Sequence, residues 1–463
     1  MNKPELLCPA GTLRNFRYAI AYGADAVYCG APRYSLRVRN NDFTLDNLRI
    51  GIEEAHAAGK KVYVVTNVQP HSSKLDTFSR DIAEMAALRP DAFIVSDPGV
   101  IYLIRKLGID IPLHISVQAN SVNWADVEFW KGEGASRVIL SRELSVGEIR
   151  DIREKCPDIE LEVFVHGALC VASSGRCLLS GYMCRRDANQ GACTNSCRWD
   201  YSVYRGKLDE NGAIVPEKSE AECLAESAAA GERPVALIEE RNNRPGELMP
   251  LFEDEHGAYI LNSKDLCAVR HVAELAEIGV DSLKIEGRTK SAYYVARTAS
   301  AYRRAIDDAA AGKPFDEGLY NELLQVASRG YTDGFLARHT TEEMQNYAVG
   351  YSESETELLV GDILGTTPDG HLDIKVKNHF EVGDDILVVS PAGNSRARIT
   401  SMEENGKPAQ AALGSGHQVY ITTEPEVSVS GTYCMIVKLL KPRAKQESAA
   451  PDGGRRTDEL PGP

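Results

Sequence analysis

Short β-rich runs alternate with amphipathic stretches of helical period along the first two-thirds of the chain: ELLCPA, DAVYCG, KVYVVTN, DAFIVSD, PLHISVQ, RVILSRE, LEVFVHG and, after a long interruption, SLKIEG. Seven of these eight runs follow one another between Glu5 and Gly167 at spacings of roughly 20 to 35 residues, joined by stretches such as NLRIGIEEAHAAGK and SVGEIRDIREKC that read as helices. Repeated strand–helix units of this length close most naturally into an α/β fold, a (β/α)8 TIM-like barrel, expected over residues 1–345.

The eighth run is delayed by roughly 110 residues, from Ala168 to Asp281, which predicts a long insert at about 168–281 between strands seven and eight. Inside it, GKLDENGAIVPEKSEAECLAESAAAGERP is polar and alanine-rich and suits a surface excursion. LNSKDLCAVRHVAELAEIGV then resumes helical spacing, with Asn262 or Ser263 placed to cap a helix leading to strand eight. AYYVARTASAYRRAIDDAAAG reads as a long outer helix after that strand. Over 355–440 the texture changes to short alternating strands (VGDILG, HLDIKVKN, DDILVVS, SRARITSM, HQVYITTE, TYCMIVKLL) separated by PDG, PAGN and ENGK turns, predicting a small antiparallel β-barrel domain. The tail, 441–463, is expected to be disordered.

Of 463 residues, 43% are hydrophobic and 26% charged, which excludes a disordered chain. No apolar run approaches the roughly 20 residues of a membrane-spanning helix, and MNKPELLCPAG lacks the apolar core of a secretion signal, so a cytoplasmic protein without membrane contact is expected. With a net charge of -15, any contact with nucleic acid must use a local basic patch.

Five of the eleven cysteines, Cys170, Cys177, Cys184, Cys193 and Cys197, fall in one 28-residue window directly after strand seven. The window, HGALCVASSGRCLLSGYMCRRDANQGACTNSCRW, begins at the C-terminal rim, the face on which such barrels carry their active sites. Without an export signal, these read as reduced thiols, metal ligands or catalytic groups rather than disulfides. Structural zinc sites favour close cysteine pairs, whereas the first spacing here is six intervening residues, with Gly175 and Gly191 nearby. Wide, loop-borne spacing suits a 4Fe-4S cluster, and a fourth ligand is available from Cys267, at the start of the helix leading to strand eight. The competing reading is a set of buried free thiols, and core or incidental placement is the better one for the scattered Cys8, Cys29, Cys156, Cys223 and Cys434.

Period-two alternation places His114, Ser116, Gln118 and Asn120 on one face of strand five, Glu162, Phe164 and His166 on one face of strand seven, and Lys284, Glu286 and Arg288 at the end of strand eight. Arg142 and Glu143 follow strand six, Asn67 follows strand three, and Tyr34 and Arg37 follow strand two, so a small anion would meet guanidinium groups suited to carboxylates. Arg185, Arg186 and Arg198, interleaved with Tyr182 and Trp199, either grip a phosphate backbone and stack a base or form the shell of a cluster.

At ELEVFVHGALCVASSGRCLLSGYMCRRDANQGACTNSCRW, with LNSKDLC and SLKIEGR, the chain resembles the collagenase-like peptidase family of unassigned catalytic type, and within it the branch that modifies tRNA. The resemblance runs from PELLCPAG to the small C-terminal barrel. It implies prephenate-dependent hydroxylation of the wobble uridine of tRNA to 5-hydroxyuridine, and a 4Fe-4S cluster on Cys170, Cys177, Cys193 and Cys267, with Cys197 competing for the third position. Taken with the rim positions, it makes His166, Glu286 and Gln118 candidate catalytic groups and Arg142, Lys284, Arg288 and Asn67 candidate substrate-binding groups. The implied partners are the tRNA anticodon arm, for which Lys375, Lys377 and His379 of the small barrel offer a hold, prephenate, and an electron-donor protein. Two rival readings are a cysteine-type peptidase using Cys170 and His166, and a non-catalytic, cluster-bearing RNA-binding factor.

Overall fold

The computed structural model of the chain describes residues 3–31, 33–35, 42–169, 264–326, 328, 330–337, 356–414, 416–429 and 431–440, with short strands between 206 and 259. Strands β1 (Glu5–Ala10), β2 (Ala26–Gly30), β3 (Lys61–Val65), β4 (Ala92–Val95), β5 (Leu113–Ile115), β6 (Arg137–Ile139) and β7 (Glu160–Ala168) pair in parallel and in chain order. Beyond the insert come β8 (Asp265–Cys267) and β9 (Ser282–Ile285), and β9 closes the ring between β7 and β1. Lys284 stands opposite Leu7 on one side and Phe164 on the other. The result is the eight-stranded parallel barrel that the spacing predicts. Its strands are buried on both faces, as a parallel sheet covered by helices requires.

Helices α1 (Leu13–Ala21), α2 (Leu45–Ala57), α3 (Leu75–Ala87), α4 (Pro98–Lys106), α5 (Trp124–Gly132) and α6 (Val146–Lys155) alternate with the strands, followed by α7 (Val272–Ile278), α8 (Ala292–Ala310) and α9 (Glu317–Leu324). Most of their starts are fixed by capping side chains. Thr12, Thr44, Asp97 and Asn123 accept first-turn N–H groups, and Ser145 and Glu148 form a reciprocal capping box. The rim connection before α4 is short, with only Ser96 and Asp97 separating it from β4.

One element departs from the sequence reading. LNSKDLC does not begin a helix; Asp265–Cys267 is a strand antiparallel to β7, with Asp265 opposite Ala168 and Cys267 opposite His166, and helix α7 starts only at Val272. The cause is the length of β7. At nine residues it overruns its neighbours, and its projecting end offers backbone groups that the returning chain satisfies.

The C-terminal strands β11 (Glu357–Thr366), β12 (Leu372–Val376), β13 (Asp385–Ser390), β14 (Gly393–Glu404), β15 (Gln418–Glu424) and β16 (Cys434–Leu439), which follow the short β10 (Tyr331–Thr332), form a closed antiparallel barrel in the order β13-β16-β11-β12-β15-β14. It has its own core around Val360, Ile374, Phe380 and Ile421. Its outer residues Leu387, Val389, Met435 and Val437 join the core of the large barrel. The Tyr22 hydroxyl donates to the Tyr433 carbonyl at 2.9 Å, and the Tyr293 hydroxyl donates to buried Glu357. The small barrel is thereby seated on α1 and α8. Among the described residues, no helix is long and apolar enough to cross a membrane.

Candidate active site at the barrel mouth

The barrel interior is a network of buried charges. Arg137 donates to Glu5 at 2.7 Å and to Glu162 at 3.0 Å, and Lys284 donates to the other oxygen of Glu162 at 2.7 Å. Ser282 and Tyr63 hydroxyls close the network on Glu5 at 3.1 and 2.6 Å. Glu162 is fully buried, and truncating a group in such a network strands its partners as uncompensated charges. Burial lowers the Lys284 ammonium below its ordinary pKa, with Glu162 opposing the shift. Burial, reinforced by Arg137 and Lys284, holds His114 well below the ordinary histidine value, so it is neutral. Its Nδ1 has no hydrogen-bond partner among the described residues.

Toward the C-terminal ends of the strands, the rings of Tyr28 and Phe164 lie over this layer. Lys284 Nζ is 4.4 Å from the centre of Tyr28 and 5.2 Å from that of Phe164, and the Arg142 guanidinium lies 3.9 Å over Phe164. Arg142 donates to the Ala168 carbonyl at 2.9 Å, and Arg288 donates to Ser35 at 3.1 Å. Glu286 accepts from the Tyr28 hydroxyl at 3.2 Å and stands 3.9 Å from Arg142, too far for a strong ion pair. A ligand carboxylate can therefore engage Arg142 without breaking a tight bond.

Glu286 is held firmly. Its N–H donates to the His166 carbonyl at 2.8 Å, and its own carbonyl accepts from the Tyr294 hydroxyl at 2.9 Å. A Cβ on residue 167 would lie 2.5 Å from the Glu286 carbonyl, and the backbone there has φ +103, so only glycine lets β7 pass this close.

The opposite wall is neutral. Asn67 Nδ2 donates to Ser116 at 3.4 Å, and Ser96 donates to the Asn67 carbonyl at 3.0 Å. His114 and Ser116 do face inward, but β5 ends at Ile115; Gln118 lies in a 3-10 turn, Val117–Ala119, and Asn120 is left-handed at φ 64. The expectation that Gln118 and Asn120 continue the strand face is corrected. The Ser116 side chain accepts from the Gln118 N–H and bends the chain out of the strand.

His166 is also placed differently from its alternation. The β7–β9 register shifts between Lys284 and Ile285, opposite Phe164 and His166, so His166 leaves the face of Glu162 and Phe164. It packs instead against Tyr294, Tyr302 and Tyr331, with ring centres 5.8, 5.4 and 5.2 Å away. The Tyr302 hydroxyl donates to the Val165 carbonyl at 2.7 Å and stands 3.4 Å from His166 Nδ1, while the Tyr331 hydroxyl stands 3.5 Å from Nε2. Burial pulls His166 down to about 3, so it stays neutral.

Cys170, Cys177, Cys184, Cys193 and Cys197 lie outside the described residues, as do Arg37, Arg185, Arg186, Arg198, Tyr182 and Trp199. Cys267 lies within them, and it is buried. Burial pushes its thiol up to about 12, against the Val269 N–H, which favours its thiolate. A buried sulfur with a hydrogen-bonding neighbour fits one ligand of an iron-sulfur cluster. Among the described residues, no three His, Cys, Asp or Glu side chains converge as a metal site. Lys377 pairs with Asp362 at 3.2 Å, while Lys375 and His379 are exposed.

Tyr28 is absent from the sequence-based set although DAVYCG carries a usable signal: it shares the inward register of Ala26. The tyrosines around His166 had none, because they come from α8 and β10, and only the register shift turns His166 toward them.

Residues 11–346 match the family described as Peptidase family U32, and residues 355–432 match its C-terminal domain. The chain is 53% identical over 449 residues to tRNA hydroxylation protein P of Haemophilus influenzae, covering 95% of this chain and 96% of that one. It is 54% identical over 445 residues to tRNA hydroxylation protein P of Escherichia coli, covering 95% and 97%. It is also 29% identical to the 23S rRNA 5-hydroxycytidine C2501 synthase of Escherichia coli, over 87% of this chain and 55% of that one.

Proposed function

This chain belongs to peptidase family U32, and from that premise we propose that it hydroxylates tRNA, converting the wobble uridine to 5-hydroxyuridine with prephenate as co-substrate and a 4Fe-4S cluster on Cys170, Cys177, Cys193 and Cys267. The observation that carries the reading is similarity along nearly the whole chain to two tRNA hydroxylation proteins. When bound, the cluster supplies one-electron transfer. The chain's own residues do the rest. Arg142 and Arg288 hold the carboxylates of prephenate, and Tyr28 and Phe164 underlie its ring. The Asn67 amide, bonded to Ser116, faces the imide edge of the uracil, whose base must leave its stack to reach the mouth. Glu286 is the mouth carboxylate placed to accept a proton from the reacting base.

The peptidase reading needs an oriented base beside Cys170, and His166 faces α8 with tyrosine hydroxyls at both ring nitrogens. Nucleoside analysis of tRNA from a strain lacking this protein tests the proposal. Nucleosides derived from 5-hydroxyuridine should vanish and return with the wild-type chain but not with Cys267→Ala. Unchanged levels in the deletion strain reject it. Anaerobically purified protein should carry about four iron atoms per chain, with Cys267→Ala losing them.

A further inference from the structure

Beside the mouth, the loops after β2 and β3 enclose a separate cavity of about 350 Å3, lined by Arg33, Tyr34, Val68, Pro70, Lys74 and Thr77. These loops also carry two groups of the mouth: Ser35, which holds Arg288, and Asn67. The Val68 N–H donates to the Tyr34 carbonyl at 3.3 Å and ties the loops together.

The lining combines rigid apolar wall and accessible cations. Tyr34 is fixed by an edge-on contact with Phe78, 5.1 Å between ring centres, and by its hydroxyl donating to Asp81 at 3.0 Å. Arg33 is exposed and 3.6 Å from Asp81, so most of its N–H groups are open to a ligand. Its backbone is left-handed at φ 71, a conformation that costs a non-glycine residue about 1 kcal/mol and that concentrates at ligand sites. Lys74 is exposed and forms no ion pair among the described residues. In a chain of net charge -15, two accessible cations over a hollow of this size select a phosphate with an attached planar or ring-shaped group.

We propose that this cavity binds a nucleotide of the RNA substrate flanking the one that enters the barrel, its phosphate between Arg33 and Lys74 and its sugar or base against Tyr34, Val68 and Pro70. The proposal rests on the tRNA-hydroxylation reading and adds to it how the strand is gripped. A nucleotide seated here reaches the mouth through Ser35–Arg288 and Asn67, which links RNA binding to the groups that hold the co-substrate.

The test is tRNA binding by fluorescence anisotropy over a salt series, using the full chain and Arg33→Gln/Lys74→Gln. Arg89→Gln/Lys106→Gln makes the same charge change at the C-terminal ends of α3 and α4, on the opposite end of the barrel. Loss of both cations around this phosphate should weaken binding by at least about ten-fold and flatten the log–log salt slope by about 0.7–0.9, the value for one neutralised phosphate, while the control matches wild type. Equal affinity and slope in Arg33→Gln/Lys74→Gln and wild type would overturn the proposal and leave the hydroxylase reading standing. Failure of wild type to bind tRNA would bring down both. Uridine monophosphate binding lost in Arg33→Gln/Lys74→Gln with tRNA affinity intact would give the cavity to a free nucleotide and also overturn the proposal. Unfolding midpoints of all variants within a degree or so of wild type, as expected for exposed side chains, tie the readout to binding.

Discussion

Glu162→Gln should cost the barrel far more than the loss of one surface carboxylate. The Glu162 carboxylate lies 2.7 Å from Lys284 and 3.0 Å from Arg137. At an effective dielectric of about 20, unit charges at these separations attract by roughly 6 kcal/mol each, most of which offsets the removal of the ions from water. The substitution removes the attraction but leaves the cations inside. Arg137 keeps Glu5 and Glu160, whereas Lys284 loses its one ion-pair partner among the described residues. A loss of about 3–5 kcal/mol in unfolding free energy is expected. Glu162→Leu/Lys284→Met removes both charges and should recover more than half of it. Urea unfolding followed by circular dichroism measures both, and NMR of the lysine side chains should show Lys284 titrating lower still in Glu162→Gln, because Glu162 raises it. A cost below about 1 kcal/mol, or a double variant no more stable than the single, would refute the view that this layer is a mutually dependent charge network.

Three further outcomes are expected. His114 titrates well below its unfolded value near 6.5, so the unfolded state binds the extra proton; stability is complete above that pH and its share falls by about 1.4 kcal/mol per pH unit below it. His114→Asn should flatten the slope between pH 5 and 6.5 in a pH series of urea unfolding. Gly167→Ala should lower stability by about 1–3 kcal/mol and impair activity by displacing Glu286, whereas Gly59→Ala, left-handed at φ +67 but with open space around it, should cost only about 1 kcal/mol in the same thermal melts and leave activity alone. Arg142→Lys keeps the charge but loses the planar fork over Phe164, so under the proposed hydroxylase function the KM for prephenate should rise by about ten-fold or more with kcat changing less, read from steady-state kinetics at saturating tRNA.

The barrel was legible because its strands announce themselves by burial on both faces and several helices by a capping side chain at their start, as at Thr12, Asp97 and Ser145. On strand eight Lys284 points inward as the alternation predicts, whereas Glu286 lies one residue past the strand end at Ile285. Alternation failed where the backbone departs from a regular strand. A register shift turned His166 outward, and a 3-10 turn carried Gln118 off the strand. Neither leaves a local mark in composition. Lys284 and Glu286 could have been mutual partners by spacing, and only the closed ring shows that Lys284 answers to Glu162 across the strand pair. The strand Asp265–Cys267 was hidden because its cause, the overhang of β7, lies about a hundred residues away in sequence.

That overhang turns the two ends of the cysteine-rich segment into a clamp. Ala168 and Asp265 face each other in the β7–β8 ladder, so the 96 residues between them leave and re-enter the barrel at one point. Doubling the length of a flexible loop whose ends are already held together costs only about 0.6 kcal/mol in closure entropy. The wall of the barrel is then indifferent to what the segment contains. Such a socket allows the excursion to be lengthened or shortened while the pocket beneath keeps its shape.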